Sequence, residues 1–235
     1  MMFCARNLTR TAGLACLVAV ASLLTALPGH ADCADRPAAG VDWAGCSKER
    51  LILNDADLTA GVFENAFLSG TVFDQAGLAG ANLQRSELVR SSFIGADLTG
   101  ADLEKSLASR SDFSNAVLRG ARLVKAEFLR VSFAGADLTD ADLSDGDFYR
   151  NDFSGAQMTG ANLHDAILPR SVFTGAVMAG ADLSGAFLLR TRFDQVDLSA
   201  VTGLDQAQLD QACGDAATVL PAGLTAPAHW PCPAE

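Results

Sequence analysis

From Leu51 to Ala200 the chain divides into thirty consecutive groups of five without an insertion or deletion, and the third residue of nearly every group is Leu or Phe. Well-preserved examples are Ala96-Asp97-Leu98-Thr99-Gly100, Ala136-Asp137-Leu138-Thr139 and Ala181-Asp182-Leu183-Ser184-Gly185. The first position is small, the third large and apolar, and the others polar. A period of five matches neither the 3.6 of an amphipathic helix nor the 2 of a half-buried strand. It suits a chain that turns a corner after every group, with the first and third residues inward. Four groups then make one square coil of twenty residues, and coils stack at a strand spacing of about 4.8 Å, as in a β-solenoid.

The Ala-Asp/Asn-Leu-x-x repeat resembles the pentapeptide-repeat family, and the resemblance covers about 150 of the 235 residues. It implies an all-β, right-handed quadrilateral β-helix, here a rod about 36 Å long at the strand spacing. The chain divides into residues 1–31, an N-terminal cap 32–50, the solenoid 51–200 and a C-terminal cap 201–235. In the first segment Arg6 and Arg10 precede an apolar stretch from Ala12 to Leu27 and the run Pro28-Gly29-His30-Ala31. This pattern reads as a secretory signal peptide cleaved after Ala31, which places the mature protein in the periplasm or outside the cell. The apolar run is short for a bilayer span, and no transmembrane segment follows it.

Cys33, Cys46, Cys213 and Cys232 flank the solenoid, two on each side. In an oxidising compartment an even set reads as two disulfides. Of the three connectivities, Cys33–Cys46 with Cys213–Cys232 keeps each bridge within one end. No CxxC pair is present and, once His30 leaves with the signal, His229 is the one histidine near these cysteines in sequence, so no metal site is expected. Asp42-Trp43-Ala44-Gly45-Cys46 resembles the opening of exported family members, with Trp43 as anchor of the first cap. At the other end Leu204–Gly214 reads as a short capping helix ended by Gly214, followed by a Pro-rich segment.

Loss of Arg6 and Arg10 with the signal takes the formal charge from −11 to −13, which argues against nonspecific nucleic-acid binding. Every twentieth residue sorts the group centres into four columns, one per face. The first runs Leu53, Phe73, Phe93, Phe113, Phe133, Phe153, Phe173, Phe193; the second is Leu and Met, and the third, after Phe63, is Leu. The fourth, Leu68, Leu88, Ala108, Phe128, Phe148, Leu168, Leu188, is irregular. Ala108 is too small for its place, so that either a local void forms or Phe128 leans into it.

The fourth face also carries outward apolar residues, among them Phe67, Leu107, Leu129, Tyr149, Ile167, Phe187 and Leu189. At its edge stand Arg90, Arg110, Arg130, Arg150, Arg170 and Arg190, a file about 24 Å long at the strand spacing. Two readings remain open. The file is a corner ladder neutralised by Glu87, Asp112, Glu127, Asp147 and Asp152 or by turn carbonyls, or it is a recognition stripe for an anionic partner anchored by Leu129, Tyr149, Phe187 and Leu189.

Nothing in the chain assembles a catalytic or cofactor site. After signal removal the histidines are His164, outward beside Asp165, and His229; the glycines fall in the repeat phase, and metal-ligand spacing is missing. The sequence therefore reads as a non-enzymatic exported scaffold or protein-binding solenoid of the bacterial envelope, with an unidentified protein partner or a second copy on the Arg-edged face. The alternative comes from the family: some cytoplasmic members imitate B-DNA and bind type II topoisomerases. The export signal and the Arg file both argue against that role.

Overall fold

The computed structural model describes residues 32–233; the expected signal segment, residues 1–31, lies outside the described residues. The backbone is a β-solenoid in which each second-position residue bridges, in parallel, the residue twenty further on: Asp42↔Val62, Ile52↔Val72, Asp97↔Val117 and onward to Asp182↔Thr202. Four hydrogen bonds per group hold it, one of them from the fifth-position N–H to the next coil (Gly95 to Ser114 O, 3.0 Å). The centre N–H donates to the next coil (Phe93 to Asp112 O, 2.7 Å), and the second-position N–H donates to the previous one (Asp97 to Ala76 O, 2.9 Å). A turn bond closes the corner (Ala96 N–H to Phe93 O, 3.0 Å).

The corner requires the left-handed region at the fifth residue, as at Gly95 (φ 65°) and Arg90 (φ 56°). Glycine has no Cβ to clash there, whereas another L-residue gives up about 1–2 kcal/mol. At Leu107–Ser109 (β1) and Glu127–Leu129 (β2) the two coils pair as three-residue parallel strands, in register Leu107↔Glu127, Ala108↔Phe128 and Ser109↔Leu129.

The core is the inward columns. Phenylalanines of the first column stack face to face with ring centroids 4.7 Å apart at Phe73–Phe93, 4.5 Å at Phe93–Phe113 and 4.8 Å at Phe153–Phe173. First-position alanines close the space between columns, and Ala96, Ala101 and Ala136 are fully buried.

The laddering begins ten residues before the regular run. Val41–Gly45 and Cys46–Arg50 are two further groups, with Trp43 fully buried at a centre and Lys48 at the next. Lys48 has no coil beneath it, so its ammonium lies 4.0 Å over the Trp43 ring and donates to Cys33 O at 2.7 Å. Cys33–Cys46 and Cys213–Cys232 are paired, with Cα–Cα separations of 5.5 and 5.6 Å.

At the C-terminal end the helix is a single turn, α1 (Gln206–Leu209), started by an Asp205 capping box with Gln208. Gln208 also donates to Leu183 O and Ala186 O at 2.8 and 2.9 Å. Gly214 does not end this helix. The chain leaves α1 at Asp210, Cys213 forms one more rung on Arg192, and the Trp230 ring lies so close to Gly214 that a Cβ there would meet it at 2.3 Å.

Candidate functional site

The fourth face is built from outward second and fourth positions on either side of its buried centres. Phe67, Leu107, Leu129, Ile167, Phe187 and Leu189 are between 42 and 46% exposed; Tyr149 is half-buried. These side chains stand in rows because the coils repeat in phase. On the other faces the same positions are filled mostly by Asp, Asn, Ser and Thr, whose carboxylates and amides fold back on the backbone. Asp142 Oδ1 accepts from Ser144 N–H at 3.1 Å, and Asp182 Oδ1 accepts from Ser184 N–H at 2.9 Å. The hydroxyl of Ser184 and then its N–H hold the Asp182 carboxyl below its usual range.

The arginines occupy the left-handed corner that ends each fourth-face group: Arg90 φ 56°, Arg110 55°, Arg130 56°, Arg150 57°, Arg170 59° and Arg190 58°. Arg50 (φ 57°) extends the file at the N-terminal end, with Gly70 between it and Arg90. Sequence reasoning missed Arg50 because its group has Lys48 where Leu or Phe marks the register. A corner two faces away carries Gly80, Gly100, Gly120, Gly160 and Gly180 in the equivalent place, so the turn itself does not ask for arginine.

The guanidinium groups of Arg90, Arg110 and Arg130 make no ion pair or side-chain hydrogen bond with the described residues. Arg150 lies 5.4 Å from the centre of the Tyr149 ring. Two of the carboxylates expected to neutralise the file are turned to the backbone instead: Asp112 accepts from Ser114 N–H and Asp152 from Ser154 N–H, both at 2.9 Å. Elsewhere arginine does find carboxylate. Arg85 bonds Glu64 at 2.8 Å, Arg122 bonds Glu104 at 3.0 Å, Arg119 bonds Asp137 and Arg192 bonds Asp194 at 2.8 Å.

Two depressions adjoin the file. One, of about 260 Å³, has buried Ala108 and Phe128 in its floor and Val89, Leu107, Ser109, Glu127, Leu129 and Asp147 around it. Phe128 answers the small Ala108 by packing toward the first column, 5.8 Å from the Phe113 ring and 6.0 Å from Phe133. The other, of about 1020 Å³, lies between the last coils and the C-terminal segment, where Arg170, Arg190 and Arg192 meet His229 and the Cys213–Cys232 bridge. His229 is exposed, with its Nε2 2.9 Å from Ala212 O. His164 lies 3.2 Å from Asp165 at an exposed corner. Among the described residues no cluster of His, Cys, Asp and Glu is placed to hold a metal ion, and no helix is long and apolar enough to cross a membrane.

These features define a repeat solenoid with one apolar, arginine-edged face. The chain belongs to the pentapeptide repeat family, whose model matches eight copies within residues 52–199. Among solved structures it is similar to HetL, a pentapeptide repeat protein involved in heterocyst differentiation regulation from the cyanobacterium Nostoc sp. strain PCC 7120. That match has 22% identity over 74% of this chain and 84% of the other, with a TM-score of 0.54. It is also similar to QnrB1, a plasmid-mediated fluoroquinolone resistance protein, with 18% identity over 77% and 91% of the two chains and a TM-score of 0.57. At these identities the likeness is one of fold. No curated protein sequence matches the chain.

Proposed function

We propose that this protein is a non-enzymatic, exported scaffold of the bacterial envelope, a right-handed quadrilateral β-helix that binds a protein partner through its fourth face. The observation that carries this reading is the file of Arg90, Arg110 and Arg130, exposed and without an ion pair among the described residues, beside a row of exposed Leu and Phe. Like charges one coil apart repel, left-handed corners disfavour arginine, and exposed apolar side chains add nothing to a corner ladder. Arginine and aromatic residues with a desolvated apolar centre are what protein interfaces concentrate. Export rests on the Arg6–Ala31 pattern of the sequence and on the two disulfide-paired ends, which suit an oxidising compartment. No observation favours DNA mimicry, because the cation file interrupts the acidic surface along one whole edge.

Photo-crosslinking in the producing cells tests the reading. A photoreactive amino acid at Leu129 or Tyr149 should give one discrete adduct in the periplasmic fraction, with the protein half of the adduct starting at Asp32 by mass. The same amino acid at Thr139, on another face, should give none. The adduct should disappear when Arg130→Glu and Arg150→Glu are combined. An adduct that survives the double reversal, or that forms equally at Thr139, refutes the face; a protein half that retains residues 1–31 refutes export.

A further inference from the structure

We infer that the fourth face receives an amphipathic α-helix that lies along the rod, its acidic flank over Arg90–Arg150 and one bulky apolar side chain in the depression above Ala108 and Phe128. This deepens the proposed function and rests on it. The first argument is spacing. Successive coils present their side chains at intervals measured by the stacked rings of the first column, 4.5 to 5.3 Å. A helix lying along them offers a side chain about every 5.4 Å, one per turn, whereas alternate residues of an extended strand recur about every 6.7 Å. Helical turns therefore stay near register with the coils over several ranks, and a strand loses register after one. The arginines from Arg90 to Arg150 span about 14 Å at the strand spacing, the length of about 10 helical residues.

Charge selects the occupant. Arg110 and Arg130, which follow the lining residues Ser109 and Leu129 in the chain, have no carboxylate of their own among the described residues, while Glu127 and Asp147 stand on the rim of the depression. A uniformly anionic polymer would meet those two carboxylates and leave Leu107 and Leu129 uncovered. A second copy fits no better. Turned about an axis across the rods, it would lay its arginine file on this one. Turned about an axis along them, the file would meet the opposite corner, where Arg85, Lys105 and Lys125 would face Arg90, Arg110 and Arg130, the three without an ion pair, and the favourable partners Asp145 and Asp165 come only further along. The depression, about 260 Å³, falls below the volumes of about 300–1,000 Å³ typical of small-molecule sites, and suits an anchoring side chain of a helix seated in a groove.

The test uses the full mature protein and a labelled 18-residue peptide with Leu at the i, i+3, i+4, i+7 positions and Glu along one flank, read by fluorescence anisotropy and circular dichroism. The peptide should bind and gain helicity. Binding should weaken at least tenfold when the flank is Lys, when a central Pro breaks the helix, in Arg110→Glu/Arg130→Glu, and in Leu107→Ser/Leu129→Ser. All four protein positions are exposed or at corners, and an unchanged melting curve verifies the variants. Equal binding of the Pro peptide overturns the helix while leaving the face reading intact. Equal binding of poly-glutamate overturns it in favour of a polyanion site, and a protein dimer in sedimentation that excludes the peptide assigns the face to a second copy. Absence of any peptide binding, with the Leu129 adduct still formed in cells, overturns this inference alone; absence of both overturns the proposed function as well.

Discussion

The first position of the groups that follow the arginine corner is buried yet polar in most coils: Thr71, Ser91, Ser111, Asn151, Ser171 and Thr191. The hydroxyls serve the coil before them. Ser171 accepts from Asn151 N–H at 3.0 Å and donates to Phe148 O, and Thr71 accepts from Leu51 N–H at 3.2 Å and donates to Lys48 O. Asn151 does half of this. Its Oδ1 accepts from Val131 N–H at 2.8 Å, but its Nδ2 is buried without a partner. An unmet buried donor costs about 1–3 kcal/mol, and a serine hydroxyl there can both accept from Val131 and donate to the Phe128 carbonyl. Asn151→Ser should therefore raise stability by about 1 kcal/mol, seen as a higher midpoint in urea unfolding; a lower midpoint would show that the amide is satisfied. The repeat pattern does not announce this column. Ala and Ser are alike in size, so the five-residue period says that the position is small without saying why it is polar.

Within a coil stack the energetic unit is the column. Phe113 contacts Phe93 at 4.5 Å, Phe133 at 5.2 Å and Phe128 at 5.8 Å, whereas Phe193, at the end of the column, is stacked on Phe173 alone among the phenylalanines, at 5.3 Å. Truncation of a buried Phe costs about 3–5 kcal/mol, so Phe113→Ala should fall in that range by urea unfolding, and Phe193→Ala below it. Equal losses would contradict a column held by rings on both sides. The columns were legible because a fixed period makes every twentieth residue a neighbour. At the ends the two disulfides and the Trp43 anchor were legible, but the two extra groups were not, since Trp43 and Lys48 break the Leu/Phe signature where no coil lies beneath them, nor was the role of Gly214, which is small to admit Trp230 rather than to end a helix. At the site, the arginine row and its apolar neighbours could be read from spacing. Whether the guanidinium groups meet carboxylates could not, because Asp112 and Asp152 are claimed by N–H groups two residues away.

As a whole the molecule is one-dimensional: each coil touches the coils before and after it, so its stability is a sum of coils and their interfaces, and unfolding can start at an end. The bridges sit where that matters. Cys46 is a buried first-position residue of the first coil and ties residues 32–35 to it, while Cys213, itself buried, ties the last rung to the Trp230 segment. Loops of 13 and 19 residues closed in this way contribute about 3 kcal/mol each on the chain-entropy model. Because Trp43, Lys48 and Asp35 are held together beside the first bridge, with Trp43 Nε1 donating to Asp35 O at 3.2 Å, its loss should loosen residues 41–60 first. In Cys33→Ala/Cys46→Ala, hydrogen exchange should accelerate across that coil while the coils from 91 to 150 keep the protection of the parent protein. Removal of Cys213 and Cys232 should give the mirror result, with faster exchange from 190 onward. Uniform acceleration along the chain in either variant would mean that the rod unfolds as one cooperative unit, and that the bridges stabilise the whole rather than its ends.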